Sequence, residues 1–146
     1  WLGLTRLFYA NNDKQHIIAA TTRLNDSYFN QKNGTYNTKN ARRHTVCHEL
    51  GHTVGLEHVN TRSCLNDSER AIQDNVKPIK KDFKTLAKLY KHKDKGKSTI
   101  GAASTGARSV QSIDFIEIEA PTRQTSITSF LPDGTRVVTI VTWADE

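Results

Sequence analysis

A chain of 146 residues, 36 % hydrophobic and 25 % charged, fits one soluble domain large enough to bury a real core. No apolar run reaches the roughly 18 residues that a membrane-spanning helix needs, so no membrane span is expected. The net charge of +6 is concentrated between Lys77 and Lys97. No aromatic residues interleave those lysines as a base-stacking platform requires, so the stretch reads as a solvated face and no nucleic-acid partner is expected. The chain begins at Trp1, contains no methionine and shows no signal-peptide pattern, which reads as a processed form or a fragment.

Leu2 to Tyr9 reads as a strand, and Asn11-Asn12-Asp13 as a turn. A second strand runs from about His16 to Leu24 with β-branched Ile17, Ile18, Thr21 and Thr22, and the two are expected to form a hairpin. The edge near Ile17 to Leu24 is the expected site for a peptide added as an extra strand. Asn25 to Asn37 is polar and reads as a loop. Thr38 is a good N-cap for a helix over Lys39 to Val54, whose apolar positions Val46, Leu50 and Val54 recur every four residues on one face. Gly55 ends that helix, because glycine accepts the left-handed conformation of a C′ residue. Glu57 to Val76 has no periodicity and reads as irregular.

A second helix is predicted from Pro78 through Tyr90, with Ile79, Phe83, Leu86, Ala87 and Tyr90 on one face and Lys77, Lys81, Lys84, Lys88 and Lys91 opposite. Tyr90, completing the stripe, is assigned to the core, and Asp82 to the first helical turn, where the dipole favours a carboxylate. Composition divides the chain into a core at 1–92, a flexible linker at 93–112 and a β-hairpin extension at 113–146. In that extension Phe115 to Glu119 alternates like a strand, and Ser126 to Leu131 and Arg136 to Trp143 flank the turn Pro132-Asp133-Gly134.

Residues 48–58 carry the chemistry. On a helix, His48 and His52 lie one turn apart on the same face and can grip one ion. Glu49 sits beside them. Gly55 turns the chain back, so that His58 can reach the same ion. Three neutral imidazoles leave a fourth tetrahedral position open, which is the layout of a catalytic Zn²⁺ site. A metal-activated water with Glu49 as general base would then hydrolyse a peptide bond. His16, His44 and His92 have no motif around them and read as structural or exposed. Glu57 and Glu69 are weaker carboxylate alternatives to His58. Cys47 and Cys64 bracket the motif. A disulfide is the favoured reading, with two buried thiols or a cysteine at the metal site as alternatives.

The string HELGHTVGLEH fits HExxHxxGxxH, and on it the chain resembles the metzincin metallopeptidases. With a cysteine on either side of the motif it is most similar to their small, secreted, bacterial matrixin-like members. The resemblance covers residues 1–92, most closely 36–66. It implies an α+β fold: a small N-terminal sheet, a zinc-binding helix and a C-terminal core helix, here with a C-terminal hairpin added. It implies a secreted, monomeric zinc endopeptidase acting on proteins or peptides, with His48, His52 and His58 as ligands and Glu49 as the catalytic residue. The alternative is a degenerate zinc-binding module that binds peptides or a partner without cutting. Two departures stand out. The family carries a methionine in a turn beneath the metal, where this chain has Leu65, apolar and of similar volume. The family also has several strands and a long helix ahead of the zinc helix, where this chain has 38 residues.

Overall fold

In the computed structural model, residues 1–9, 16–93 and 125–144 are described. The chain opens with the strand β1 (Gly3–Tyr9), which is buried along nearly its whole length. β2 (Ile17–Leu24) returns beside it as the expected hairpin partner. The Asn11-Asn12-Asp13 turn lies outside the described residues, as do the linker beyond Lys93 and the Phe115 to Glu119 strand.

The C-terminal hairpin, β3 (Ser126–Phe130) and β4 (Arg136–Thr142), belongs to the same sheet. The order is β2-β1-β4-β3, all antiparallel. β4 lies along the second edge of β1, pairing Gly3 with Thr142, Thr5 with Ile140 and Leu7 with Val138. This explains why β1 reads apolar on both faces: it is flanked on both sides, and its alternate residues are covered above and below. At the end of the ladder the Arg136 guanidinium stacks 3.9 Å over the Tyr9 ring. The hairpin turn is where Pro132-Asp133-Gly134 places it. Gly134 adopts φ +85°, and the Asp133 carboxylate accepts the Thr135 N–H at 2.8 Å.

Among the described residues there are four helices, α1 (Asp26–Phe29), α2 (Lys39–Thr53), α3 (Glu69–Asp74) and α4 (Lys80–Leu89). α1 and α3 fall inside the two stretches expected to be irregular. They are too short to display a helical period. Their buried residues Phe29 and Ile72 join Leu2, Tyr36, Ala41 and Ala144 in one apolar cluster. α4 begins two residues later than Pro78 suggests, because the Asp82 carboxylate accepts the Ile79 N–H at 2.7 Å and makes Ile79 the N-cap. Asp82 is buried and also accepts the Ser63 hydroxyl at 2.6 Å, tying α4 to the segment after the histidine motif.

α2 starts where expected, with the Thr38 hydroxyl accepting the Ala41 N–H at 3.0 Å. Its orientation differs from what the apolar spacing suggests. Val46, Leu50 and Val54 face outward, with Leu50 55 % exposed. The buried face is Ala41, His44, Thr45, His48, Glu49 and His52. The apolar stripe of α4 is also half turned out, with Phe83 58 % and Tyr90 59 % exposed. Tyr90 is therefore not a core residue; its hydroxyl donates to the Val54 carbonyl at 3.1 Å.

α2 ends in a full Schellman motif. The Leu56 N–H reaches the Gly51 carbonyl at 3.1 Å, and the Gly55 N–H reaches the His52 carbonyl at 2.9 Å. Gly55 sits at φ +83°, where a side chain costs about 1–2 kcal/mol. A Cβ there would meet only Ile17 and Leu89 at ordinary contact distance, so the penalty is conformational rather than steric. Gly55→Ala should therefore lower the unfolding free energy by about that amount in urea titrations.

Candidate metal centre

α2 projects His48 and His52 from its buried face, and the Schellman turn reverses the chain so that His58 meets them. One ligand nitrogen from each of the three lies within 4.8 Å of the others. Their ring centroids are 4.6, 4.9 and 4.8 Å apart. The three are close enough to bind a metal ion.

Each ring is held by its Nδ1. His48 Nδ1–H donates to the Cys64 carbonyl at 2.8 Å, and His52 Nδ1–H donates to the Leu56 carbonyl at 2.7 Å. His58 Nδ1 faces the Asp67 carboxylate at 3.3 Å. A ring whose Nδ1 carries the proton presents the lone pair of Nε2. All three Nε2 atoms are buried and lack a hydrogen-bond partner. Three buried, neutral nitrogens aimed at one point fit a borderline transition metal and would be unfavourable without one.

Electrostatics agrees with geometry. Burial, with the neighbouring imidazoles His52 and His58 adding to it, pushes His48 down to about 2. Burial pushes His52 down to about 4 and lowers His58 as well. All three rings are neutral at neutral pH, as a ligand set must be.

The disulfide Cys47–Cys64 is formed, with the Cα atoms 6.0 Å apart. The two cysteines are therefore neither free thiols nor ligands. The bridge fixes the Ser63-Cys64-Leu65-Asn66 turn against α2, and the Cys64 carbonyl in that turn is the acceptor that holds His48. Leu65 lies in this turn and is buried. A Cβ on Gly51 would lie 2.8 Å from a Leu65 methyl, so helix and turn are in close contact.

Glu49 is fully buried. Its Oε2 accepts the Thr5 hydroxyl and its Oε1 accepts the Thr142 hydroxyl, both at 2.6 Å. Those threonines come from adjacent strands, β1 and β4. Between them Gly3 leaves the space the carboxylate fills, since a Cβ there would sit 2.2 Å from Glu49 Oε1. Burial raises the Glu49 carboxyl to about 7, against the lowering effect of the Thr142 and Thr5 hydroxyls.

Beside the histidines lies a cleft of about 320 Å³ lined by Leu7, Tyr9, Val138 and Ile140, by polar Glu57, Thr125 and Ser126, and by His52 and His58 themselves. β1 and β4 line it. The strand expected to receive a peptide, β2, stands at the outer edge of the sheet, one strand removed.

Gly3, Thr5, Thr142 and Asp67 escaped the sequence reading. A glycine inside a strand hints at a close approach, but nothing local links Thr142 to a glutamate 93 residues away. His44, one turn before His48, is wholly buried, and its Nδ1–H donates to the Asn75 carbonyl at 2.7 Å. It continues the row of imidazoles, with its ring 5.6 Å from that of His48, but lies outside the ligand cluster. His16 and His92 meet each other at the surface, Nε2 to Nε2 at 3.1 Å. Glu57 is exposed and outside the cluster.

Asp67 is half-exposed and holds His58 from behind. Asp67→Asn should weaken metal affinity about 10- to 100-fold while leaving the circular dichroism spectrum unchanged, as read by chelator competition. Comparison with protein-family models, curated proteins and solved structures returned no match for this chain.

Proposed function

We propose that this chain is a zinc-dependent endopeptidase of metzincin type, acting on proteins or peptides. The observation that carries this reading is the convergence of three buried, proton-free imidazole nitrogens at one point, with Glu49 on the same helix face. No helix among the described residues is long and apolar enough to cross a membrane. The disulfide suits an oxidising, extracellular setting, and we read the protein as a secreted monomer.

His48, His52 and His58 would hold the zinc ion. When bound, zinc supplies Lewis acidity at the scissile carbonyl and makes water acidic enough to deprotonate near neutral pH. Glu49 takes the proton from the attacking water and delivers it to the amide nitrogen as the C–N bond breaks. Thr5 and Thr142 fix the carboxylate, and each of its oxygens keeps a second lone-pair direction for the proton in flight. The adjoining cleft, apolar on the side of Leu7, Val138 and Ile140 and polar at Glu57, Thr125 and Ser126, would receive the substrate chain.

A second reading has its own support. Glu49 is wholly buried, with both oxygens engaged by hydroxyls, which also suits a metal-binding module that holds peptides without cutting them.

One pair of variants separates the two. Zinc-loaded wild type should cleave a mixed peptide library. Glu49→Gln should retain about one zinc per chain and lose at least about 100-fold in rate, whereas His58→Ala should lose metal and activity together. A zinc-loaded wild type that cuts nothing would leave the non-catalytic reading standing.

A further inference from the structure

We infer that the groove between α2 and α4 is a docking surface for an amphipathic helix with acidic flanks. The groove holds about 560 Å³, and Cys47, Gly51 and Leu65 are among the residues that line it. Its walls are the two apolar stripes that a lone domain would bury: Val46, Leu50 and Val54 from α2, with Phe83 and Leu86 from α4. Large exposed apolar side chains scattered singly need no explanation, but a contiguous set lining a concave surface marks an interaction site.

The shape selects a helix. Both walls are helical, so their backbone groups are already paired along their length and offer no free edge. An extended peptide laid there would bring N–H and C=O groups with nothing to bond them, whereas a helix satisfies its own. The α2 stripe repeats every four residues and spans about 12 Å at 1.5 Å per residue. That matches the i, i+4, i+7 anchors of a helix packed ridge into groove.

Charge selects the flanks. Arg42 and Arg43 of α2 line the groove and are exposed, while Lys81, Lys84 and Lys88 lie on the opposite face of α4. The carboxylates on these two helices are Glu49 and Asp82, and both are buried. Arg42 reaches only the neutral Phe29 carbonyl and Asn37 side chain. The groove lining therefore presents only positive charge to solvent, from Arg42 and Arg43, on a chain of net charge +6. A second copy would set like charges against each other, while an acidic partner gains steering and register.

The test uses the full chain and a fluorescent 16-residue helical peptide with leucines at i, i+3, i+4, i+7 and i+11 and glutamates on both flanks. A twin peptide carries lysine in place of each glutamate. Anisotropy should report saturable binding of the glutamate peptide, at least about 10-fold weaker binding of the twin, and weakening with salt. Leu50→Asp and Phe83→Asp, both at exposed positions, should each weaken binding at least about 10-fold with circular dichroism and metal content unchanged, while Ile18→Asp on β2 should not. Absence of saturable binding, equal binding of the two peptides or indifference to the groove variants would overturn the inference. So would self-association of the free chain through this face in sedimentation velocity.

Discussion

Three imidazoles, two held by backbone carbonyls and the third facing a carboxylate, organise the centre of this protein. His48 is held by the Cys64 carbonyl, His52 by the Leu56 carbonyl and His58 by the Asp67 carboxylate. Each acceptor lies on chain that follows α2. The Leu56 carbonyl depends on the left-handed turn at Gly55, and the Cys64 carbonyl on the disulfide and the turn it anchors. Removing an acceptor would free a buried ring to rotate and would leave a buried donor unpaired, a cost of about 1–3 kcal/mol. The bridge, the Schellman turn and the Asp82 cap are thus parts of one arrangement, whose effect is to expose three Nε2 lone pairs in one direction.

That arrangement explains why α2 turns its polar face inward. An amphipathic helix normally buries its apolar stripe, because burial gains about 25 cal/mol for each Å² of apolar surface. Here the buried face carries three histidines and a glutamate, each placed by named hydrogen bonds, and it is the valine and leucine stripe that faces out. The exposed stripe then meets the half-exposed stripe of α4 across the groove. The histidine cluster and the groove are opposite consequences of one choice of helix face.

The sheet contributes at the other side of the centre. β1 and β4 are adjacent and antiparallel, so Thr5 and Thr142 stand close enough to take one oxygen each of Glu49, while Gly3 admits the carboxylate between strands and helix. β4 comes from the far end of the chain. Among the described residues, the stretch ahead of α2 supplies β1 and β2, and β4 and β3 widen the sheet from the C-terminal side. Glu49 is consequently set by residues from both ends of the described chain.

Much was legible from local sequence. Thr38 as N-cap, Gly55 as helix terminator, the first hairpin and the hairpin turn at 132–134 each follow from the chemistry of one or two residues. So does the juxtaposition of His48, His52 and His58, because helical rise and one glycine turn fix their relative positions. The short helices α1 and α3 were invisible, since a single turn displays no period. What only the tertiary structure decided was everything set by distant partners. β4 takes the second edge of β1, Thr142 reaches Glu49, Asp67 backs His58, and the apolar stripe of α2 faces solvent. Spacing along a helix determines which side chains share a face. Which face is buried depends on what the rest of the chain brings to meet it, and here that was carbonyls, hydroxyls and a carboxylate placed by contacts far apart in sequence.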